Sequence, residues 1–125
     1  MLDVLIAHES GMTRALMRSS LEDAGVLVRE AGTVEAALTD IRDRAPDVVL
    51  VDTALCRRDT TPILATLKGD PDLFSVAVVL LTDVPGSADA LRSLEEGAQD
   101  MVILPANPAD LVARVRSAAR TKALQ

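Results

Sequence analysis

Short apolar runs alternate with amphipathic stretches along the whole chain, and this alternation limits the possible folds more than any other feature. Five runs have the composition of buried strands, and they cover residues 2–7, 26–31, 48–51, 76–81 and 101–104. Each run is followed by a stretch in which apolar residues recur every three or four positions, as on one face of a helix. Since strand–helix–strand units cross over with one hand, the pattern predicts a parallel sheet with helices on both faces.

The chain has 125 residues, which suits one domain of this kind. We expect a doubly wound, flavodoxin-like α/β fold, with a five-stranded parallel sheet in the order 2-1-3-4-5 flanked by five helices. The third run is apolar throughout, as is typical of a central strand covered on both faces. We assign residues 1–120 to the domain and residues 121–125 to a C-terminal helix extension or linker.

Local signals predict where helices begin and which faces they bury. Thr33 and Asn107 stand at N-cap positions, and Pro108 follows Asn107 at the first helical position. In the fourth helix, the spacing predicts an inner face made of Ala90, Leu91, Leu94 and Ala98.

The composition excludes several classes of function. Nineteen acidic and thirteen basic residues give a formal charge of -6, which disfavours a domain that contacts nucleic acid. The one aromatic residue is Phe74, so the chain lacks the rings on which bases, flavins or sugars stack. A single cysteine, Cys56, and the lack of a long apolar run predict a cytoplasmic domain that does not contact the membrane.

The candidate functional residues follow the strands of the predicted sheet. His8 and Glu9 follow the first strand, Asp52 the third, and Thr82 and Asp83 the fourth. Ligands of doubly wound sheets bind outside the carboxyl ends of the strands. We therefore expect Glu9, Asp52 and Thr82 to meet in one small acidic hollow.

With these residues the chain resembles the receiver domains of bacterial response regulators, over almost all of residues 2–120. The resemblance is carried by Glu9, residues 48–51 leading into Asp52, residues 80–82, the turn at 97–100, and Pro105. It implies a CheY-like receiver of a two-component phosphorelay, which accepts a phosphoryl group from a sensor histidine kinase or a phosphotransfer protein. Such a domain is not an enzyme, beyond removing its own phosphoryl group.

The resemblance also implies a role for each site residue. Asp52 takes the place of the phosphoacceptor, and Glu9 and Asp52 would hold Mg²⁺, which keeps several waters when carboxylates bind it. Thr82 would donate its hydroxyl group to a phosphoryl oxygen. The signal would pass through the face of the fourth helix, fifth strand and fifth helix, to an output domain, a partner protein or a second copy of the chain.

Four positions depart from the family's pattern. His8 replaces the first of two adjacent acids, which predicts weak Mg²⁺ binding. Leu104 stands where the family has a lysine, so the cation that pairs with the phosphoryl group is missing. Met101 replaces a switching aromatic residue, and Thr60 replaces a glycine. These departures predict an atypical, degenerate receiver with weakened phosphorylation.

Two other functions remain open. A pseudo-receiver independent of phosphorylation, acting as an interaction or dimerisation module, would have the same architecture. It could be the N-terminal regulatory part of a larger output protein, because residues 120–125 resemble the linker to diguanylate cyclase modules. A small hydrolase using Glu9 and Asp52 would share the acids, but the chain offers no convincing general base.

Three further side chains near these positions have simple interpretations. The only histidine, His8, is expected to be structural or solvated rather than catalytic. Arg57 or Arg58 could move towards Asp52 and replace some missing charge, although two solvated arginines are the simpler interpretation. Cys56 is expected to be an inconsequential loop thiol, whose pKa these arginines could lower.

Overall fold

The computed structural model describes residues 1–57, 59–84 and 86–123. Within them lie five strands: β1 (Asp3–Ala7), β2 (Leu27–Ala31), β3 (Val48–Asp52), β4 (Ala77–Thr82) and β5 (Asp100–Ile103). All neighbouring strands pair in parallel, in the order β2-β1-β3-β4-β5. The predicted fold and strand order are confirmed, and β3 lies in the middle of the sheet.

Five helices follow the strands in the described part of the chain: α1 (Gly11–Asp23), α2 (Val34–Asp43), α3 (Thr61–Gly69), α4 (Ala88–Glu95) and α5 (Pro108–Ala123). Both predicted N-caps are confirmed. The Thr33 side chain accepts a hydrogen bond from the Ala36 amide, and Oδ1 of Asn107 accepts from the amides of Ala109 and Asp110. These bonds satisfy amides that have no partner within the helix.

The sheet separates two hydrophobic clusters. Leu5, Val49 and Leu80 pack on one face with residues of α2 and α3. Ile6, Leu50 and Leu81 pack on the other with residues of α1 and α5. Successive side chains of a strand point to opposite faces, so a strand covered on both faces must be apolar throughout. This requirement explains the continuous apolar runs in β1, β3 and β4.

The inner face of α4 differs from the prediction. Leu91 is 51% exposed, whereas Ser93 is only 1% exposed. Ser93 is satisfied in the interior because its hydroxyl group donates to the Asp89 carbonyl oxygen at 2.9 Å and shares a hydrogen bond with the Thr60 hydroxyl group. The prediction that Leu91 faces inwards is therefore wrong, and a serine takes its place.

Helix α5 continues to Ala123, beyond the predicted domain boundary at residue 120. Residues 124 and 125 of the predicted extension lie outside the described residues. The division into a domain and a linker stays a prediction. None of the helices in the described ranges is long and apolar enough to cross a membrane.

Candidate functional site

The ends of β1, β3 and β4 lie side by side at one edge of the sheet. His8 and Glu9 follow β1, while Asp52 and Thr82 are the last residues of β3 and β4. Asp52 is in register with Leu81, and the amide after Asp52 donates to the Leu81 carbonyl oxygen at 3.0 Å. The topology therefore brings together three strand ends that are far apart in the sequence.

A cavity of about 610 Å³ lies at this edge. Its polar part is formed by His8, Glu9, Asp52 and Asp83, together with Thr13 and Ser20 of α1. The remainder is largely apolar and comes from α1 and the segment around the start of α5, including Leu16, Met17, Leu104, Pro105, Ala106 and Leu111. The structure thus brings Glu9 and Asp52 to one cavity, as expected from their positions after β1 and β3.

Asp52 is 7% exposed. Its Oδ2 lies 3.7 Å from Nε2 of His8, which is longer than a hydrogen bond. The His8 side chain is itself 13% exposed, so this histidine is not a solvated surface residue. Its contact with Asp52 was not anticipated from the sequence, because a lone histidine has no spacing signal that indicates a partner.

Three hydrogen bonds involve His8 itself, and a fourth holds Arg14, one of its partners. Its amide donates to the Ala31 carbonyl oxygen at 3.1 Å, and its Nδ1 accepts from the Ser10 amide at 3.0 Å. Nη1 of Arg14 donates to the His8 carbonyl oxygen at 2.5 Å, and Nε of the same residue donates to Oε1 of Glu30 at 2.9 Å. The only sequence signal for this network was a pair of charges in the otherwise apolar β2. The backbone and the side chain of His8 are both held in place.

Thr82 is 1% exposed. Its Oγ1 accepts a hydrogen bond from the Val84 amide at 3.0 Å, which leaves the hydroxyl hydrogen to be donated elsewhere. The cavity-lining residues of the described chain do not include Thr82. The structure therefore puts Thr82 on the strand beside Asp52 but not on the cavity wall.

Leu104 lies on the wall of the cavity, and its peptide bond to Pro105 is cis. Its amide donates to the Thr82 carbonyl oxygen at 2.9 Å, and its partly buried side chain packs against the cluster beneath α1 and α5. Met101 is also partly buried, against the cluster beneath α2 and α3. An apolar side chain thus borders the acidic edge where the resemblance led us to look for a lysine.

The loop after Asp52 corrects one expectation. Burial, together with the charges of Asp52 and Asp59, raises the pKa of Cys56 to about 11. The prediction that neighbouring arginines lower this pKa is wrong, because desolvation of the thiolate dominates.

Arg57 is exposed and lines a second cavity, of about 510 Å³, together with Glu9. Arg58 lies outside the described residues, so the arginine hypothesis stays untested.

The oxygen ligands at this edge restrict the cation that they can hold. Glu9, Asp52 and Asp83 all line the same cavity. Among the described residues, no three acidic, histidine or cysteine side chains form a ready metal cluster. The donors that Glu9 and Asp52 offer are carboxylate oxygens, the type of ligand that Mg²⁺ takes when it keeps several waters.

Comparison with known proteins adds an independent line of information. The family model described as response regulator receiver domain matches residues 4–116. A probable transcriptional regulator of Guillardia theta, ycf27, is 32% identical over 117 residues, which is 94% of this chain and 45% of that protein. The chain spans about half the length of the curated relatives that it matches.

Two solved structures show the same architecture. A putative response regulator from Chloroflexus aurantiacus superposes with a TM-score of 0.85 at 27% identity, covering 95% of this chain and 98% of that one. A response regulator receiver modulated diguanylate cyclase from Pelobacter carbinolicus gives 0.76 at 27% identity, covering 99% and 97%. Both structures, like this chain, therefore have the architecture of a response regulator receiver domain.

Proposed function

The chain belongs to the response regulator receiver domain family, and from this premise we propose that it accepts a phosphoryl group on Asp52 with reduced efficiency. The observation that carries the proposal is the position of Asp52. It ends the central strand, is 7% exposed, and lines a cavity with Glu9. Doubly wound sheets bind their ligands outside the carboxyl ends of the strands, and Asp52 is a buried carboxylate at that position.

In the proposed reaction, an Asp52 oxygen forms a bond to phosphorus. The bond from phosphorus to the histidine nitrogen of a kinase or phosphotransfer protein breaks, and its electron pair leaves with that nitrogen. Loss of the group is the attack of water on phosphorus, which releases inorganic phosphate and restores the carboxylate. The domain therefore carries a transient modification and does not turn over a substrate of its own.

Receiver domains commonly bind Mg²⁺ at the phosphorylation site, where the cation neutralises phosphoryl oxygens. In this chain Glu9 and Asp52 are the residues that would hold it, and Thr82 would donate its hydroxyl hydrogen to a phosphoryl oxygen. Donation by Thr82 is compatible with its bond to Val84, since that bond uses the hydroxyl oxygen as acceptor. Thr82 would have to reach the group from beside the cavity.

Two residues support the reduced efficiency. Leu104 contributes an apolar side chain to the cavity, so the positive charge that would stabilise the phosphoryl group is missing there. His8 contributes an imidazole where a carboxylate would help to hold the cation. Both changes weaken charge neutralisation, on which phosphoryl transfer depends almost entirely.

We propose that the signal leaves through the face formed by α4, β5 and α5. Leu91 and Ile103 are 51% and 53% exposed on this face. Arg114 bridges Asp100 of β5 and Asp110 of α5 at 3.1 Å, so these elements also carry charged groups. Receiver domains act on output domains and partner proteins, and the greater length of the curated relatives supports a covalently attached output domain.

Leu104 also favours a second candidate function. A receiver that lacks the lysine at this position could keep the fold and act as an interaction or dimerisation module that needs no phosphoryl group. The two candidates differ at one chemical step, the formation of an acyl phosphate on Asp52.

The test is incubation of the chain with acetyl phosphate and Mg²⁺, followed by intact-mass measurement. Phosphorylation predicts the addition of one acid-stable, base-labile phosphoryl group, which the variant Asp52→Asn lacks. Asn keeps the size of the side chain and removes the nucleophilic oxygen, so its far-ultraviolet spectrum and thermal unfolding serve as folding controls. Absence of the added group in the unmodified chain, at any Mg²⁺ concentration, would favour the phosphorylation-independent module.

A further inference from the structure

We propose that His8 donates a hydrogen bond from Nε2 to the phosphoryl group on Asp52, and so partly replaces the missing lysine. The inference rests on the proposed function, since it requires a phosphorylated Asp52. It gives a role to a side chain that the sequence led us to regard as structural or solvated.

The hydrogen-bond network assigns the tautomer of His8. Nδ1 accepts a hydrogen bond from the Ser10 amide at 3.0 Å, so Nδ1 carries no hydrogen. In a neutral imidazole the hydrogen is then on Nε2. Because Nε2 keeps its hydrogen, it is not free to bind a metal ion.

The same nitrogen faces the proposed phosphoacceptor. Nε2 of His8 lies 3.7 Å from Oδ2 of Asp52, which is too long for a hydrogen bond to the carboxylate itself. A phosphoryl group bonded to Asp52 extends its oxygens into the cavity that His8 also lines. The 3.7 Å separation does not accommodate a group between the two side chains, so the acceptor for Nε2 is a phosphoryl oxygen that lies beside Oδ2 in the cavity.

His8 is held in position before any phosphoryl group arrives. The backbone bonds to Ala31 and from Arg14 fix both its amide and its carbonyl group, and Arg14 is held in turn by Glu30. A side chain that is 13% exposed donates in surroundings with little water, where a hydrogen bond to a charged oxygen is strong. A donor fixed in advance is what stabilises charge in a transition state.

The cavity-lining residues within the described ranges include no lysine or arginine, and His8 carries their only side-chain N–H donor. The lining residues of the described chain also include the hydroxyl groups of Thr13 and Ser20 on α1, and Ser20 donates to the Leu16 carbonyl oxygen at 3.2 Å. Leu104 shares this wall. The nitrogen donor that Leu104 does not supply after β5 is therefore available from His8 after β1, on the other side of β3 in the sheet.

Two substitutions separate the donor from the rest of the side chain. The amide nitrogen of glutamine in His8→Gln can take the place of Nε2, whereas that of asparagine in His8→Asn reaches only as far as Nδ1. We expect His8→Asn to slow labelling of Asp52 by acetyl phosphate about 10- to 100-fold, the usual effect of one hydrogen bond to a charged group. His8→Gln should retain most of the rate. Both variants are compared at the same saturating Mg²⁺ concentration, with thermal unfolding as the folding control.

The outcomes distinguish this inference from the proposed function. Label on the unmodified chain with an unchanged rate in His8→Asn overturns the role of His8 and leaves the phosphoacceptor standing. An equal loss of rate in His8→Asn and His8→Gln also overturns it, since the donor would then not be the feature that matters. No label on the unmodified chain overturns both proposals.

A second measurement determines which ring nitrogen of His8 carries the hydrogen and whether its resonance changes on phosphorylation. ¹⁵N NMR of the unphosphorylated, metal-free chain should show the hydrogen of His8 on Nε2 and not on Nδ1. Addition of excess acetyl phosphate and Mg²⁺ should shift the Nε2 resonance more than the Nδ1 resonance. A hydrogen on Nδ1 of the neutral ring, or an unmoved Nε2 resonance in a chain shown by mass to be phosphorylated, would contradict the inference.

Discussion

The hydroxyl groups of Thr60 and Ser93 share a hydrogen bond in the interior, and each residue is 1% exposed. Thr60 precedes α3 and Ser93 lies on the inner face of α4, so the bond connects two helices on the same side of the sheet. It also accounts for the threonine at a position where the resemblance led us to expect glycine. Ser93 also donates its one hydroxyl hydrogen to the Asp89 carbonyl oxygen, so Thr60 is the donor of this bond and loses its acceptor when Ser93 is removed.

Replacing Ser93 by Ala should lower the free energy of unfolding by about 1–3 kcal/mol, since Thr60 keeps a buried hydroxyl group that has lost a partner. Urea unfolding measures the change. In the double variant Thr60→Ala with Ser93→Ala, the loss should be smaller than the sum of the two single losses. Strictly additive losses would show that the two hydroxyl groups do not stabilise each other.

Introducing lysine at position 104 should raise the rate of Asp52 labelling by acetyl phosphate roughly 10-fold or more, because a charge-assisted hydrogen bond becomes available to the phosphoryl group. Leu104→Met is the matched control, since methionine is unbranched like lysine, uncharged like leucine and similar to both in size. Rates are measured by intact mass over time. If Leu104→Lys labels no faster than Leu104→Met, the missing cation is not what limits the site.

Stability should fall in acid partly through Glu30. The hydrogen bond from Arg18, together with one from Arg14, holds the pKa of Glu30 below its ordinary value of 4.5. A lowered pKa means that the folded state favours the carboxylate. Its contribution to stability is therefore complete above pH 4.5 and declines as the pH falls through the lower folded value.

Urea unfolding at several pH values checks this prediction. Glu30→Gln should be less stable than the unmodified chain at pH 7 and should lose less stability on acidification. Glu95→Gln, a change at an exposed glutamate, controls for the loss of a negative charge. Parallel pH profiles for the unmodified chain and Glu30→Gln would contradict the assignment.

Cys56 should react slowly with iodoacetamide in the folded protein. Its pKa is raised from 9.0 to about 11, so the thiolate fraction at pH 8 is roughly 100-fold below that of an ordinary thiol. Asp52 contributes to the rise, and Asp52→Asn should therefore speed the reaction, whereas the same reaction in urea should not depend on residue 52. Equal rates for the folded chain and the urea-unfolded chain would show that Cys56 is not protected.

Much of the architecture could be predicted because a strand that is buried on both faces of the sheet has an uninterrupted apolar sequence. Residues 48–51 are apolar without interruption, and β3 is in fact the central strand. Thr33 caps α2 as predicted, since a cap depends only on residues next to it in the chain. The meeting of Glu9 and Asp52 at one cavity follows from parallel topology alone.

Features that depend on contacts between elements could not be predicted in the same way. In an eight-residue helix with leucines at 91 and 94, periodicity permits more than one inner face, and a hydrogen bond from Thr60 decided in favour of Ser93. The contact between Arg14 and the His8 carbonyl group joins a helix to a loop and has no local signal. The raised pKa of Cys56 likewise reflects how deeply the loop is buried, which its sequence does not indicate.

The bond from Arg14 to the backbone of His8 has a consequence for the first encounter with a phosphoryl donor. The backbone of the cavity wall at His8 is already hydrogen-bonded before a donor docks, so ordering of this segment should add little to the entropy cost of association. Complementary shape, more than any rearrangement of the rim, should then determine which donors can associate.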